Sequence, residues 1–182
     1  MATTEHTIND ALAAVLMETR NLWRSKGVVR SENIQVLKSS GKKPDILIAE
    51  PNVSPVIVET EVIPGTTVES DARARLGDHL TPSNRRILSS LAVRLPLRLR
   101  DFSGQQLTNE ILNASDFEIA LYTGESPDSF TRWPQNGWIL GNAVDLSVLI
   151  QSAAVPPAVV EEAANKLVDG VSEAAALLSD MT

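Results

Sequence analysis

Between Pro55 and Pro64 the chain reads Val-Ile-Val-Glu-Thr-Glu-Val-Ile, a β-branched apolar run that holds two acids one residue apart. A strand alternates its side chains, so Ile57, Glu59 and Glu61 share one face and Val58, Thr60 and Val62 the other. The apolar density implies a strand covered on both faces, which leaves the two acids in a partly dry place. Their Cα atoms stand about 6.5 Å apart, close enough for both carboxylates to converge on one ion or one phosphate. Unless a cation neutralises them, each raises the pKa of the other.

A third acid is close by. "DILIAE", beginning at Asp45, is a second β-rich run, and the Pro/Asn/Ser segment after it predicts a hairpin. A turn centred near Asn52 sets Asp45 opposite Glu59 or its neighbour, and in direct register on the same face. An Asp and two Glu are hard oxygen donors that suit Mg²⁺ or Mn²⁺ rather than zinc. Glu18, on a helix predicted over residues 7–25, can join them from above. Alternatively the acids lie at solvated strand ends or in ion pairs with Arg73 and Arg75.

The other elements follow from periodicity. Ile8, Leu12, Val15, Leu16 and Leu22-Trp23 line one face of the first helix, with Thr7 or Asn9 as its cap and Gly27 as its end. "TTVESDARARLGDHL" is expected to be helical, "RILSSLAVRLP" a strand, and "LRDFSGQQLTNEILNAS" a loop with a short helix. "DFEIALYTG" predicts a strand closed by Gly124, and "SPDSFTRWPQNGWILGN" a loop-rich passage containing Trp133 and Trp138. Helices are expected over "AVDLSVLIQSAAV" and, after Pro156-Pro157, over Ala158 to Asp180. The sum is a mixed α/β domain spanning 1–182, with a core over about 8–123 and a C-terminal helical extension over about 142–182.

Composition narrows the chemistry. The absence of cysteine removes disulfides, thiolate zinc sites and cysteine nucleophiles, and His6 and His79 are the sole imidazoles. No phosphate-binding Gly-Lys-Ser/Thr loop, Gly-x-Gly-x-x-Gly or Gly-x-Ser-x-Gly occurs, which disfavours an ATPase, a dehydrogenase or a serine hydrolase. No apolar run reaches the roughly 18 residues that span a bilayer, so a cytoplasmic chain with no membrane partner is expected. The net charge of −7 hides an asymmetry: residues 1–100 hold 14 Lys and Arg against 11 Asp and Glu, and residues 101–182 hold 2 against 12. The basic half suggests a polyanion-facing side. Lys42-Lys43 and Arg85-Arg86 could clamp phosphates there, and solubility explains them equally well. The acidic C-terminal helix could pack on the sheet, form a homodimer seam or dock onto a further domain.

Pro44-Asp45, the spacing of roughly a dozen residues, and Glu59-Thr60-Glu61 together resemble the core of the PD-(D/E)xK nucleases, over about residues 8–123. "ETEVIPGTTVESDARARLG" is similar to nuclease domains of prokaryotic restriction and phage-defence proteins. The resemblance implies a restriction-endonuclease-like αβββαβ core, a mixed sheet flanked by helices, and Mg²⁺- or Mn²⁺-dependent hydrolysis of DNA in a defence complex. It implies further that Asp45, Glu59 and a main-chain carbonyl near Thr60 hold the metal, and that Glu61 orients or deprotonates the attacking water. The family's usual Lys is Glu61 here, and Arg73 or Arg75 on the next helix would supply its positive charge. A catalytically inactive copy of the fold, serving DNA recognition or protein assembly, is the alternative.

Overall fold

The structure, a computed structural model, describes residues 2–19, 28–30, 36–39, 41–49 and 55–153. The expected end of the first helix beyond Thr19, the turn at Asn52 and the helix over Ala158 to Asp180 lie outside the described residues. Helix α1 (Glu5–Thr19) buries Ile8, Leu12, Val15 and Leu16 as its spacing predicts. Its cap is Thr4, whose hydroxyl accepts the Thr7 N–H at 3.2 Å, rather than Thr7 or Asn9.

Three strands follow that share one sheet: β1 (Val28–Arg30), β3 (Ile46–Ala49) and β4 (Val56–Val62), in an antiparallel meander. Between β1 and β3, the short β2 (Val36–Leu37) leaves the sheet to pair with β5 (Leu80–Thr81). After β4 comes helix α2 (Val68–Ala74), shorter than its apolar spacing suggested because the chain turns at Gly77 towards β5. Strand β6 (Ser89–Leu95) then lies parallel to β4, in register from Val56↔Ser89 to Val62↔Leu95. A 3₁₀ turn (Leu97–Asp101) and helix α3 (Gly104–Asn113) lead to β7 (Phe117–Ser126), antiparallel to β6. The expected stop at Gly124 does not occur: β7 runs on to Ser126 and folds back as β8 (Ser129–Trp133). Thus the passage read as loop-rich holds β8 and β9 (Ile139–Gly141), both paired to β7. Helix α4 (Ala143–Ala153) follows as expected.

The result is a mixed seven-stranded sheet in the order β1-β3-β4-β6-β7-β8, with β9 also on β7. Its two faces differ. Ile46, Ile48, Val56, Val58, Leu91, Val93, Ile119 and Leu121 pack under α1, α3 and α4 in the main core. The other face is covered by two smaller clusters. Val68, Ala72 and Leu76 of the α2 segment sit on Ala92, Ala120 and Tyr122, and Leu37, Leu80 and Ile87 sit on Leu47 and Ile57. Each fully buried aliphatic side chain contributes about 1.5–3 kcal/mol, and the large cluster therefore carries most of the stability. The thinner second face carries the charged groups.

Candidate functional site

Strand β4 is buried along its whole length, and its acids are no exception: Glu59 is 3 % and Glu61 5 % exposed. The β3–β4 register pairs Ile46 with Val58 and Leu47 with Ile57, so one step further Asp45 meets Glu59. The hairpin therefore takes the direct register. Asp45 is fixed there by backbone: its Oδ2 accepts the Thr60 N–H at 3.0 Å, and its own N–H donates to Glu59 Oε2 at 3.4 Å. An extended residue points its N–H and C=O to the same edge, so the Thr60 carbonyl faces the Asp45 side, beyond the start of β3.

Two groups act on Glu59 in opposite directions. Burial first, then the charge and hydrogen bond of Asp45, raise its pKa from 4.5 to about 8, against the opposing pull of Arg75. Arg75 stands just past the end of α2 and donates Nε–H to Glu59 Oε1 at 2.6 Å, with 11 % of its side chain exposed. Arg73, the other candidate for the missing positive charge, is elsewhere: it is exposed and lies over the Phe130 ring, 5.6 Å from the centroid. Residues two apart on a helix point about 200° apart, so Arg73 and Arg75 cannot both face the sheet.

Glu61 has a different set of partners. Its Oε1 accepts the N–H groups of Thr67 and Val68, each at 2.8 Å, and its Oε2 accepts Arg94 Nε–H at 3.1 Å. A strand carboxylate thereby caps α2, in place of the Thr67 side chain, which makes no capping bond. Arg94 also reaches Glu118 at 2.7 Å and the Gly65 carbonyl at 3.1 Å, closing a charged row across β4, β6 and β7. A Cβ on Gly65 would stand 3.1 Å from the Glu61 carboxyl, so glycine lets the loop approach this closely.

Beside that row is a cleft of ≈ 210 Å³, lined by Glu61, Gly65, Thr66, Val68, Glu69, Arg94 and Trp138. Trp138 has the guanidinium of Arg94 5.7 Å and that of Arg132 5.1 Å from its ring. Although burial works against it, Glu69 is held below its usual pKa by hydrogen bonds from Tyr122 and Arg132, both at 2.7 Å.

The structure thus brings Asp45, Glu59 and Arg75 together on one face, with Glu61 two residues along β4 on the same face, while Thr60 turns its side chain to the other face and meets Asp45 through its backbone. It does not bring Glu18 there: Glu18 is exposed near the C-terminal end of α1, and α1 packs on the opposite face. The α1 residues that bond to β4 are Asn9, buried, whose Oδ1 accepts the Thr60 hydroxyl, and Glu5, whose Oε1 accepts the Val62 N–H at 3.2 Å. Arg94 was not singled out in the sequence, because only the parallel β4–β6 register places it beside Glu61. Among the described residues no group of three acids or histidines stands ready to hold a metal by side chains alone. The available donor set is two carboxylates and the backbone edge at Thr60, which suits an ion such as Mg²⁺ that keeps several of its waters. No protein-family model, curated protein or solved structure matches the chain.

Proposed function

We propose that the chain is a metal-dependent phosphodiesterase of the PD-(D/E)xK type, with DNA as its substrate. The observation that carries this reading is the Asp45–Glu59 pair: two abutting carboxyl groups, one of them buried with its pKa raised to about 8. Such a pair retains a proton at neutral pH even with Arg75 beside it, and a divalent ion would satisfy it better. The element order also supports the reading: helix, three-stranded meander, helix, then a strand parallel to the third. The restriction or anti-phage setting rests on the resemblance of the segment that begins at Glu59.

In this reading Asp45, Glu59 and the Thr60 carbonyl hold the ion. When bound, it would supply Lewis-acid polarisation of the scissile phosphoryl group and a nucleophile at neutral pH. Arg75 fixes the second oxygen of Glu59, and so orients the first towards Asp45. It also supplies the positive charge that the family places on a Lys. Glu61 is a positioning residue: with both oxygens engaged, it anchors α2, and α2 carries the chain to Arg75.

The second reading, a non-cleaving module for DNA recognition or protein assembly, is favoured by one observation. Both oxygens of Glu61 and both of Glu59 already have partners within the fold. Cleavage of plasmid and phage DNA by the purified chain with Mg²⁺ or Mn²⁺ separates the two. Asp45→Asn and Glu59→Gln are each expected to abolish cleavage. Glu61→Gln, which keeps the acceptor for the α2 N–H groups, should cost less than about tenfold, where losing a general base costs about 10²–10⁴-fold. Cleavage that survives at Asp45 and Glu59 sinks the site, and no cleavage with either ion favours the module.

A further inference from the structure

The two-stranded sheet of β2 and β5 forms a small lobe on the face that carries Asp45 and Glu59. Its inner side is apolar: Leu37, Leu80 and Ile87 pack on Leu47 and Ile57. Its outer side is cationic. Lys38, Lys42, Lys43 and Arg86 are exposed, and Arg85 is half-buried. These residues come from two segments about forty residues apart, joined by the β2–β5 pairing. The Lys38 N–H donates to the His79 carbonyl at 2.8 Å, the Leu80 N–H to the Arg85 carbonyl at 2.9 Å, and His79 and Arg86 form a β-bridge. The acid of the lobe, Asp78, is engaged by Ser39, accepting its hydroxyl at 2.6 Å and its N–H at 3.3 Å.

The location of the lobe gives the charge its meaning. Lys43 is two residues before Asp45, so its Cα lies within about 7 Å of the acid pair, a separation of one or two phosphates along a strand. The chain as a whole carries −7, so a polyanion is attracted only where cations are gathered. We infer that the β2–β5 lobe is the backbone clamp of this protein, in which Lys42, Lys43, Arg85 and Arg86 hold the phosphates of a DNA strand beside Asp45. The choice of DNA over another polyanion rests on the phosphodiesterase reading; the clamp itself rests on the lobe. Contacts of this kind set affinity and position without reading sequence.

Binding of a fluorescent duplex of roughly 25 base pairs, measured by anisotropy in EDTA over a range of NaCl concentrations, tests this independently of cleavage. Each phosphate contact removed should reduce the slope of log K against log [NaCl] by about 0.9. Lys42→Gln/Lys43→Gln and Arg85→Gln/Arg86→Gln are each expected to reduce it by about 2 and to weaken binding equally for unrelated sequences. Arg98→Gln/Arg100→Gln, which removes the same charge from the 3₁₀ turn, should leave the slope unchanged. Matching thermal unfolding of all variants excludes loss of the fold as the cause. Unchanged slopes in the lobe variants, an equal drop in the Arg98/Arg100 control, or no duplex binding by the wild type overturns the clamp. Reduced slopes without metal-dependent cleavage keep the clamp and remove the nuclease reading; cleavage abolished by Asp45→Asn with unchanged slopes removes the clamp alone.

Discussion

With its pKa raised to about 8 by burial and by Asp45, Glu59 keeps through neutral pH a proton that the unfolded chain releases near 4.5. The folded state therefore binds more protons than the unfolded state between those values, and stability must fall as pH rises across the interval. The contribution is full below about pH 4.5 and lost above about 8, where both states are ionised. Glu59→Gln is neutral throughout and should flatten this part of the profile. Urea unfolding at pH 5 and pH 8 is expected to show the wild type losing a few kcal/mol relative to the Gln variant, since each unit of pKa shift is about 1.4 kcal/mol; parallel profiles would contradict it. At this scale much was legible beforehand. Strand alternation and a turn centred near Asn52 set Asp45 opposite Glu59 or its neighbour, and the observed β3–β4 register selects Glu59. Arg75 was one of two candidates, and its bond to Glu59 selects it, Arg73 lying over Phe130 instead. The partners of Glu61 were not legible, because they depend on where α2 starts and on the register of β6.

Among the elements, α2 is the one most dependent on others. It is seven residues long, too short to be stable by itself, and is held by the Glu61 cap, by Ala72 and Leu76 beneath it and by the turn at Gly77. Gly77 has φ +82°, its N–H donates to the Ile87 carbonyl at 2.7 Å, and a Cβ there would run into the Glu125 carbonyl oxygen. Gly77→Ala is accordingly expected to cost about 2–3 kcal/mol, the left-handed backbone and the collision adding together. Because the turn links α2 to β5, the substitution should also displace Arg75 and weaken cleavage; a variant with unchanged unfolding would show that the turn relaxes freely. Strand β8 illustrates why part of the fold escaped the sequence. Ser129–Trp133 lies at the edge of the sheet, exposed along most of its length, so it has no apolar alternation to announce it and becomes a strand through its ladder with β7. By contrast α1, β4, β6 and α4 bury long apolar sides, and periodicity found them.

Across the whole molecule the sheet separates stability from chemistry. One face carries the large apolar core under α1, α3 and α4; the other carries Asp45, Glu59, the Glu61–Arg94–Glu118 row and the cationic lobe. Among the described residues no helix is long and apolar enough to cross a membrane. The charge asymmetry of the sequence is resolved only in three dimensions, where β2–β5 pairing gathers Lys42, Lys43, Arg85 and Arg86 on one lobe. Substitutions in the apolar core should thus lower stability without changing metal affinity, and substitutions at the acid pair should change metal affinity and the pH dependence of stability while leaving that core packed. The most direct measurement is calorimetric titration of the purified chain with Mn²⁺ at pH 7 in two buffers of different ionisation enthalpy. Binding should release close to one proton, the one held on Glu59, and should be lost in both Asp45→Asn and Glu59→Gln. No Mn²⁺ binding, or binding that neither substitution alters, would contradict the assignment of Asp45 and Glu59 as a divalent-cation site.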